Sequence, residues 1–331
     1  MISSRGIKRL SAAIALIAML GVVGCAADAP APTEPEAPAA TAASVKIGTL
    51  ATQDSLPLWV AEEKGYFSEA GIEDIEIITF QSAAELQAAF TAGAVNALMT
   101  DIMVSANLHA SGTKVVLPTV MLGAETSQGR FAVVAAPGSD VDSMADLKGV
   151  PVGTASLTIT EYVLDKLMEE AGVAAADVKK EEVDKMPIRF QLLMAGTLKA
   201  ASLPEPFVSL AEKQGAKVVA GGDDTKAQSN ISQTVLCVNR EFYETDGGTE
   251  AVASLLDAWD AAVTDINADP NSFRATLVSK ARLPEPLAAD YAVSDYPQAQ
   301  APTPEMIQSV LDWMKSKDYL AADVAPADLL P

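Results

Sequence analysis

The stretch VKIGTLATQDSLPLWVAEEKGYFSEAGIEDIEIITF, residues 45–80, places a helix between two β-rich runs. VKIGTL (45–50) and IEIITF (75–80) predict strands, because both are rich in isoleucine, valine and threonine. Between them, Pro57 suits the start of a helix and Gly65 suits its end. Two strands joined through a helix pair in parallel, so this unit predicts an α/β fold.

The same alternation of strand and helix continues as far as residue 239. Further strands are predicted at 96–100, 114–122, 129–136, 150–155, 178–183, 198–203, 216–222 and 232–239. Pro118, inside the second of these runs, indicates an edge strand or a break. From Arg240 onwards the pattern predicts only helices, which need an existing sheet to bury their apolar faces.

These elements predict two lobes of ordinary domain size. We expect lobe 1 to comprise 45–135 and 234–331, with the C-terminal helices packed on its sheet, and lobe 2 to comprise 136–233. The chain would then cross between the lobes near 133–138 and again near 231–238. Two such extended crossings form a hinge.

The first 24 residues have the layout of a secretory signal peptide. Arg5, Lys8 and Arg9 precede an apolar run at 10–24, which is shorter than the ~20 residues of a membrane-spanning helix. The run leads into VVGC, which resembles the bacterial lipobox and implies a lipidated Cys25 at the mature N-terminus. The alternative is an ordinary signal peptide cut nearby.

A segment rich in proline and alanine, residues 25–44, follows the signal. Such a composition favours an extended, solvated chain, and residues 26–43 would span roughly 55 Å at ~3.1 Å per residue. We therefore predict an extracytoplasmic protein that a tether and a lipid anchor attach to the bacterial membrane.

Charge and cysteine content narrow the set of partners. The formal charge is −21, and losing the three basic residues of the signal lowers it to −24. A surface this acidic repels nucleic acid and anionic lipid head groups, so we expect no nucleic-acid partner. Cys237 is the only cysteine besides Cys25, which predicts a buried thiol and no intramolecular disulfide in the folded part.

Four motifs follow one another along the chain: PLWVAEEKGYFSEAGI (57–72), AAFTAGAVNALMTD (88–101), DLKGVPVGT (146–154) and AASLPEP (200–206). In this order they resemble the solute-binding proteins of the NitT/TauT group, the nitrate, sulfonate, taurine and thiamine-precursor branch of ABC importers. The resemblance spans about 45–320. It implies a two-lobed, type II-like periplasmic-binding-protein fold with a ligand cleft between the lobes, and an ABC permease with its ATPase as partners.

An enzyme is the alternative that the same resemblance raises. Fungal synthases of the thiamine pyrimidine are similar to this group, and they use an iron-binding CCCFC motif with an active-site lysine and histidine. This chain has no such motif and a single histidine, so it can assemble neither a metal site nor a Ser–His pair. We expect no catalysis, no metal and no cofactor.

The ends of the predicted strands supply the candidate binding residues, since ligands of open α/β sheets lie beyond the carboxyl ends of the strands. Asp54 and Thr158 stand at two of these ends. The ligand-binding candidates are Gln53, Ser55, Leu56, Trp59, Gln81, Ser82, Thr100, Asp101, Arg130, Thr154, Ser156 and Glu205.

Several of these candidates have a second interpretation. Ser55 and Asp101 could be N-caps of ordinary helices, and Ser82 with Glu85 fits a capping box. Trp59 could be a core residue. Arg130 could pair with a ligand anion or with a neighbouring acid at the hinge.

Asp101 and Glu205 bear on the charge of the ligand. A carboxylate repels a bound anion unless it is neutralised, so these acids favour a ligand with N–H or O–H donors, such as a thiamine-type pyrimidine. A sulfonate- or nitrate-type anion is the alternative. We predict a monomer that captures the ligand by hinge closure and delivers it to a permease, with a ligand-sensing lipoprotein as the alternative class.

Replacing Cys25 tests the lipid anchor. Cys25→Ser should move the protein from the membrane fraction to the soluble fraction, because the serine hydroxyl cannot take the thioether-linked lipid. Immunoblots of fractionated cells measure this distribution, with Cys237→Ser as the matched control that should stay membrane-bound. A Cys25→Ser protein that sediments with membranes would refute the lipobox.

Overall fold

The computed structural model describes residues 43–125, 128–221, 233–245, 247–283 and 285–331. The predicted signal peptide, Cys25 and all but the last two residues of the predicted tether lie outside these ranges. The strands are β1 (Val45–Leu50), β2 (Ile75–Phe80), β3 (Ala97–Asp101), β4 (Val115–Leu122), β5 (Phe131–Ala135), β6 (Pro151–Thr154), β7 (Lys179–Glu182), β8 (Ala200–Pro204), β9 (Lys217–Gly221) and β10 (Thr234–Asn239).

Helices follow most of the strands, and short 3₁₀ turns lie at Gln53–Ser55, Met144–Leu147, Ala175–Asp177 and Pro270–Phe273. The α-helices are α1 (Leu56–Lys64), α2 (Tyr66–Glu69), α3 (Ala83–Thr91), α4 (Ile102–Ala110), α5 (Ile159–Glu170), α6 (Met186–Met194), α7 (Phe207–Lys213), α8 (Arg240–Tyr243), α9 (Gly248–Ala268), α10 (Arg274–Lys280), α11 (Glu285–Ala288), α12 (Pro304–Ser316) and α13 (Pro326–Leu329). Within the described ranges, none of them has both the length and the apolar character that crossing a membrane requires.

The strands form two five-stranded sheets of the same design, and both sheets belong to one compact unit of the chain. The first has the order β2-β1-β3-β10-β4 and the second the order β7-β6-β8-β5-β9. We call each sheet with its helices a lobe. β4, which carries Pro118, is an edge strand as predicted.

Parallel pairing holds for only part of each sheet. β1 pairs in parallel with β2 and β3, and β6 pairs in parallel with β7 and β8. β5 and β10 run antiparallel to both of their neighbours. Each of these two strands is the first that the chain forms after it crosses to the other lobe. It therefore enters its sheet from the cleft side and runs in the direction opposite to its neighbouring strands. The alternation of strands and helices implied parallel pairing, which β5 and β10 do not follow.

The first crossing between the lobes comes earlier than predicted. β5 belongs to the second sheet, so the chain leaves lobe 1 between 123 and 130, not at 133–138, and the range 131–135 belongs to lobe 2. The chain is back in the first sheet at Thr234, and residues 222–232 lie outside the described part.

The C-terminal helices pack mainly on lobe 1, as predicted. α9 packs against α1 and α2, and its Leu255 and Trp259 join one buried cluster with Ile47 of β1 and Leu236 of β10. Cys237, on the same strand, is buried as well. Within the C-terminal region that the sequence predicts as helical, only Glu285–Ala288 is helical among residues 285–293.

One C-terminal helix also reaches lobe 2. α12 contacts α4 of lobe 1, and Trp313 on α12 donates a hydrogen bond of 3.0 Å from its indole nitrogen to Asp165 on α5. A second hydrogen bond, of 2.8 Å, joins the hydroxyls of Tyr162 and Ser309. α12 therefore spans the two lobes beside the hinge.

The packing of α9 on lobe 1 can be tested with two leucines that are neighbours in the sequence. Leu255 is fully buried and Leu256 only partly. Leu255→Ala should lower the free energy of unfolding by about 2–5 kcal/mol, since it leaves a cavity in the core, and Leu256→Ala should cost less. Urea unfolding measures both, and equal losses would contradict the packing of this helix face.

Candidate ligand-binding cleft

A narrow cavity of about 60 Å³ lies between the two lobes. Residues from both lobes line it, among them Thr52, Asp54, Thr100 and Asp101 from lobe 1 and Thr158, Ile159, Thr160 and Arg189 from lobe 2. Its volume would hold several water molecules or one small polar group of a ligand.

A wider cavity of about 590 Å³ adjoins the narrow one. The two share Leu50, Thr52 and Met186 as lining residues, so together they form one cleft. Gln81, on lobe 1, lines only the wider part. Lys280 also lines it and is held by Glu62 in a salt bridge of 2.7 Å. The cleft thus has a narrow part and a roomier part, which together suit a small organic molecule.

Strand direction explains which residues reach the narrow cavity. Thr100 and Asp101 lie at the carboxyl end of the parallel strand β3. Thr234 begins the antiparallel strand β10 and stands opposite Asp101, and Phe131 begins β5 opposite Pro204. The starts of antiparallel strands and the ends of parallel strands therefore meet at the same edge of each sheet.

Asp54 is a buried acid without a cation beside it. Its carboxyl is only 9% exposed, and its Oδ1 accepts no hydrogen bond from the described residues. Burial raises the pKa of Asp54 to about 6, an effect that the nearby hydroxyls of Thr52 and Thr234 oppose. An unpartnered carboxylate oxygen in a cavity is costly, so it suits a donor supplied by a ligand.

Asp101 links the two lobes. It ends β3 and caps α4, where its Oδ1 accepts a hydrogen bond of 2.7 Å from the Val104 amide. Its Oδ2 accepts one of 2.9 Å from the Ile159 amide, which starts α5 of lobe 2. Burial raises the pKa of Asp101 to about 6; the backbone amides oppose the shift, and the charge of Asp54 adds to it.

Arg189 is the buried cation of the cleft, with an exposed fraction of 1%. From α6, its Nε donates to the Val183 carbonyl at 3.0 Å, and its Nη1 donates to the Ser202 carbonyl at 3.0 Å. Nη1 also lies 3.3 Å from the hydroxyl of Thr160. Burial lowers the pKa of Arg189 to about 10, so it is charged at neutral pH.

These groups give the cleft two kinds of partner for a ligand. Asp54 and Asp101 can accept hydrogen bonds from N–H or O–H groups, and Arg189 can donate to an acceptor or an anion. Within the described ranges, no group of three or more histidine, cysteine or acidic side chains is arranged to hold a metal ion. The arrangement can bind and orient a polar molecule.

The structure brings three of the twelve candidates to the cleft. Thr100 and Asp101 line the narrow cavity, and Gln81 lines the wide one. Ser82 lies beside them as a cap of α3, where its hydroxyl accepts a hydrogen bond of 3.2 Å from the Glu85 amide. The capping box is incomplete, since the Glu85 carboxylate accepts from the Gln81 amide instead.

The candidates around α1 face the core instead of the cavities. Ser55 precedes α1 but does not cap it, because its hydroxyl donates to the Leu50 carbonyl at 2.7 Å. Leu56 and Trp59 are buried in the core of lobe 1. Gln53 is buried too, and its Oε1 accepts a hydrogen bond of 2.7 Å from the Tyr291 hydroxyl. The side chains of these four candidates therefore do not line either cavity.

Arg130 and Glu205 are bound to each other. Arg130 Nη1 donates to Glu205 at 3.0 Å and to Glu212 at 2.8 Å, which is the hinge pairing that was the alternative for Arg130. Thr154 is buried and bonds the Thr160 hydroxyl at 3.3 Å. These three candidates therefore do not line either cavity.

Ser156, the last of the twelve candidates, also lies outside both cavities. Its amide donates a hydrogen bond of 3.0 Å to Glu182, and its hydroxyl bonds the same carboxylate. Asp54 and Thr158, noted at the strand ends, do line the narrow cavity.

Arg189 is the main functional residue that sequence reasoning missed. It lies within the apolar helix MPIRFQLLM, and an arginine inside such a pattern was the available signal. Thr52 and Thr234 were missed as well. Thr234 begins a strand, so a search of strand ends could not find it.

Comparison with known proteins identifies the class. The family described as "NMT1/THI5 like" matches residues 52–272, more than half of the chain, and the chain belongs to this family. This confirms the resemblance to the NitT/TauT group that the four motifs carried. No curated protein matches the sequence.

Solved structures of binding proteins share the fold. The periplasmic aliphatic sulphonate binding protein SsuA from Escherichia coli is 17% identical, with a TM-score of 0.70 over 87% of this chain and 97% of that one. The alkanesulfonate-binding protein SsuA from Xanthomonas axonopodis, bound to MOPS, is 17% identical, with a TM-score of 0.72 over 87% and 98%. The nitrate-binding protein NrtA from Synechocystis PCC 6803 is 14% identical, with a TM-score of 0.69 over 87% and 84%. The predicted two-lobed periplasmic-binding-protein fold is confirmed.

The burial of Asp54 predicts a stability that depends on pH. Its pKa rises from 3.8 to about 6 on folding, so the folded state keeps a proton that the unfolded state has released. The stability of the ligand-free protein therefore falls as the pH rises through this range. Asp54→Asn, which is never charged, should be more stable than the wild type at pH 7.5 by about 3 kcal/mol at most.

Urea unfolding at pH 4 and at pH 7.5 measures the effect. At pH 4 the variant and the wild type should be nearly equal, because the carboxyl is then largely protonated in the folded state. Asp74→Asn, at an exposed position, is the control and should show no gain. A variant that is destabilised at pH 7.5 would contradict the absence of a partner for Asp54.

Proposed function

We propose that this protein is the extracytoplasmic solute-binding component of an ABC importer. The observation that carries the proposal is the narrow cavity between two lobes, which is lined by the buried residues Asp54, Asp101 and Arg189. Of these three side chains, Asp54 keeps one carboxylate oxygen without a hydrogen bond from the described residues, and a polar ligand could donate to it. The family and the shared fold with sulphonate- and nitrate-binding proteins support the same role.

The ligand that we propose has donor groups at one end and an acceptor at the other. Its N–H groups would face the unpartnered Oδ1 of Asp54, and its acceptor would face Arg189. A thiamine-type pyrimidine offers both, since its exocyclic amine donates and its ring nitrogens accept. The remainder of the molecule would extend into the wide cavity.

A sulfonate- or nitrate-type anion is the second candidate. The similar structures include an alkanesulfonate-binding and a nitrate-binding protein, which favours an anion, and so does the buried guanidinium of Arg189. The two acids oppose it, because Asp54 and Asp101 would repel an anion in the narrow cavity. Our preference for a donor-bearing ligand rests on this balance of charges.

Ligand capture would proceed by closure of the hinge. A ligand that contacts Asp54 on lobe 1 and Arg189 on lobe 2 binds the closed state more tightly than the open one, so it shifts the population towards closure. The closed form would then dock on a permease, with the protein held at the membrane through a lipid on Cys25. A ligand-sensing role would use the same closure.

A ligand screen tests the proposal. The wild type is mixed with a thiamine-type aminopyrimidine, taurine, methanesulfonate and nitrate, and its melting temperature is followed. The aminopyrimidine should stabilise the protein, by about 2.7 kcal/mol at one hundred times its dissociation constant. A shift with methanesulfonate or nitrate alone would refute the preferred ligand and favour the second candidate, and no shift with any small solute would refute the binding role.

The Asp54→Asn variant tests whether the ligand contacts the carboxylate of Asp54. Since the charged acceptor is lost, affinity for the aminopyrimidine should fall by about 1.5–3 kcal/mol, although the ligand-free variant should be more stable at neutral pH. Isothermal titration calorimetry measures the affinity, with Asp74→Asn as the control. Unchanged affinity would show that the ligand does not contact Asp54.

A further inference from the structure

The carboxylate of Asp101 lies between the starts of two helices from opposite lobes. Its Oδ1 accepts from the Val104 amide of α4 at 2.7 Å, and its Oδ2 accepts from the Ile159 amide of α5 at 2.9 Å. The carboxylate is 5% exposed and forms no salt bridge with the described residues. Backbone amides of both lobes thus share one buried negative charge.

α5 depends on the other lobe for this contact. The residue that precedes it, Thr158, does not cap it, because the Thr158 hydroxyl donates to the Ala155 carbonyl at 2.8 Å. The amide of Ile159 therefore bonds to Asp101 across the cleft. Helix α3 shows the ordinary case, in which Ser82 caps its own helix within lobe 1.

Two helix starts that point at one place form a position suited to an anion, because free amides and the helix dipoles both favour negative charge. The cavity beside this position is lined by two further buried ionisable groups. Asp54 Oδ1 is buried without a hydrogen bond from the described residues, and the buried Arg189 lines the same space. The position belongs to a ligand cleft, and a side chain of the protein already occupies it.

We propose that Asp101 is a built-in anion, which takes the place of a ligand's acidic group between α4 and α5, holds the lobes together without ligand and excludes anions from this point. The inference deepens the proposed function, since it assigns a residue that determines which ligands the cleft accepts. The biological meaning of this inference rests on the proposed function. Closure of the ligand-free protein can be tested without knowing the ligand.

Asp101→Ser is the variant that separates bridging from capping. Serine is among the best N-cap residues, so it should keep the cap of α4, but it is uncharged and too short to reach α5. Asp101→Ala is the second variant and opens the position further. Ser82→Ala, which removes a cap within lobe 1 only, is the matched control.

Two measurements on ligand-free protein provide the test. Small-angle X-ray scattering should give a larger radius of gyration for Asp101→Ser and Asp101→Ala than for the wild type and Ser82→Ala. Calorimetric titration with methanesulfonate in a Tris buffer should give both Asp101 variants a dissociation constant at least about tenfold below that of the wild type, which corresponds to about 1.4 kcal/mol.

Either of two results would overturn the proposal. One is a wild type that binds methanesulfonate as tightly as the Asp101 variants, since the carboxylate would then exclude nothing. The other is an unchanged radius of gyration in both variants, since the bridge would then not hold the lobes. These outcomes differ from a failure of the proposed function, which would show as the absence of any solute that stabilises the wild type.

Discussion

Closing two lobes over Asp54, Asp101 and Arg189 removes three ionisable groups from water at once, and the rest of the site depends on how this cost is met. Burial moves the pKa of each group towards its neutral form, upwards for the two acids and downwards for the arginine. Backbone groups satisfy most of Asp101 and Arg189. One oxygen of Asp54 has no hydrogen bond from the described residues, and our proposal assigns this partner to a bound molecule.

The course of the chain places these groups together. Each crossing between the lobes delivers a strand that enters its sheet from the cleft, which is why β5 and β10 run antiparallel to their neighbours. Their first residues, Phe131 and Thr234, consequently join the carboxyl ends of the parallel strands around the cavity. α12 adds a third link between the lobes through the hydrogen bonds of Trp313 and Ser309 to α5.

The negative charge of two aspartates distinguishes this cleft from a site suited to a simple anion. The similar structures are those of two sulfonate-binding proteins and one nitrate-binding protein, which share the fold at 14% to 17% identity. In this chain an aspartate stands where two helix starts converge, and a second aspartate faces the same cavity. An uncharged, shorter side chain at position 101 would leave the amides of Val104 and Ile159 without this acceptor.

The sequence by itself determined the elements and the two-lobed α/β class, because hydrophobic periodicity, Pro57, Gly65 and the caps Ser82 and Asp101 act within a few residues of the chain. It also pointed to the strand ends, which yielded Thr100 and Asp101. Only the tertiary structure decided that Arg130 pairs with Glu205, that α1 turns Ser55 and Trp59 to the core, and that Arg189 and Thr234 reach the cavity. Those outcomes depend on the direction in which a strand enters its sheet and on contacts between residues far apart in sequence, which no local pattern encodes.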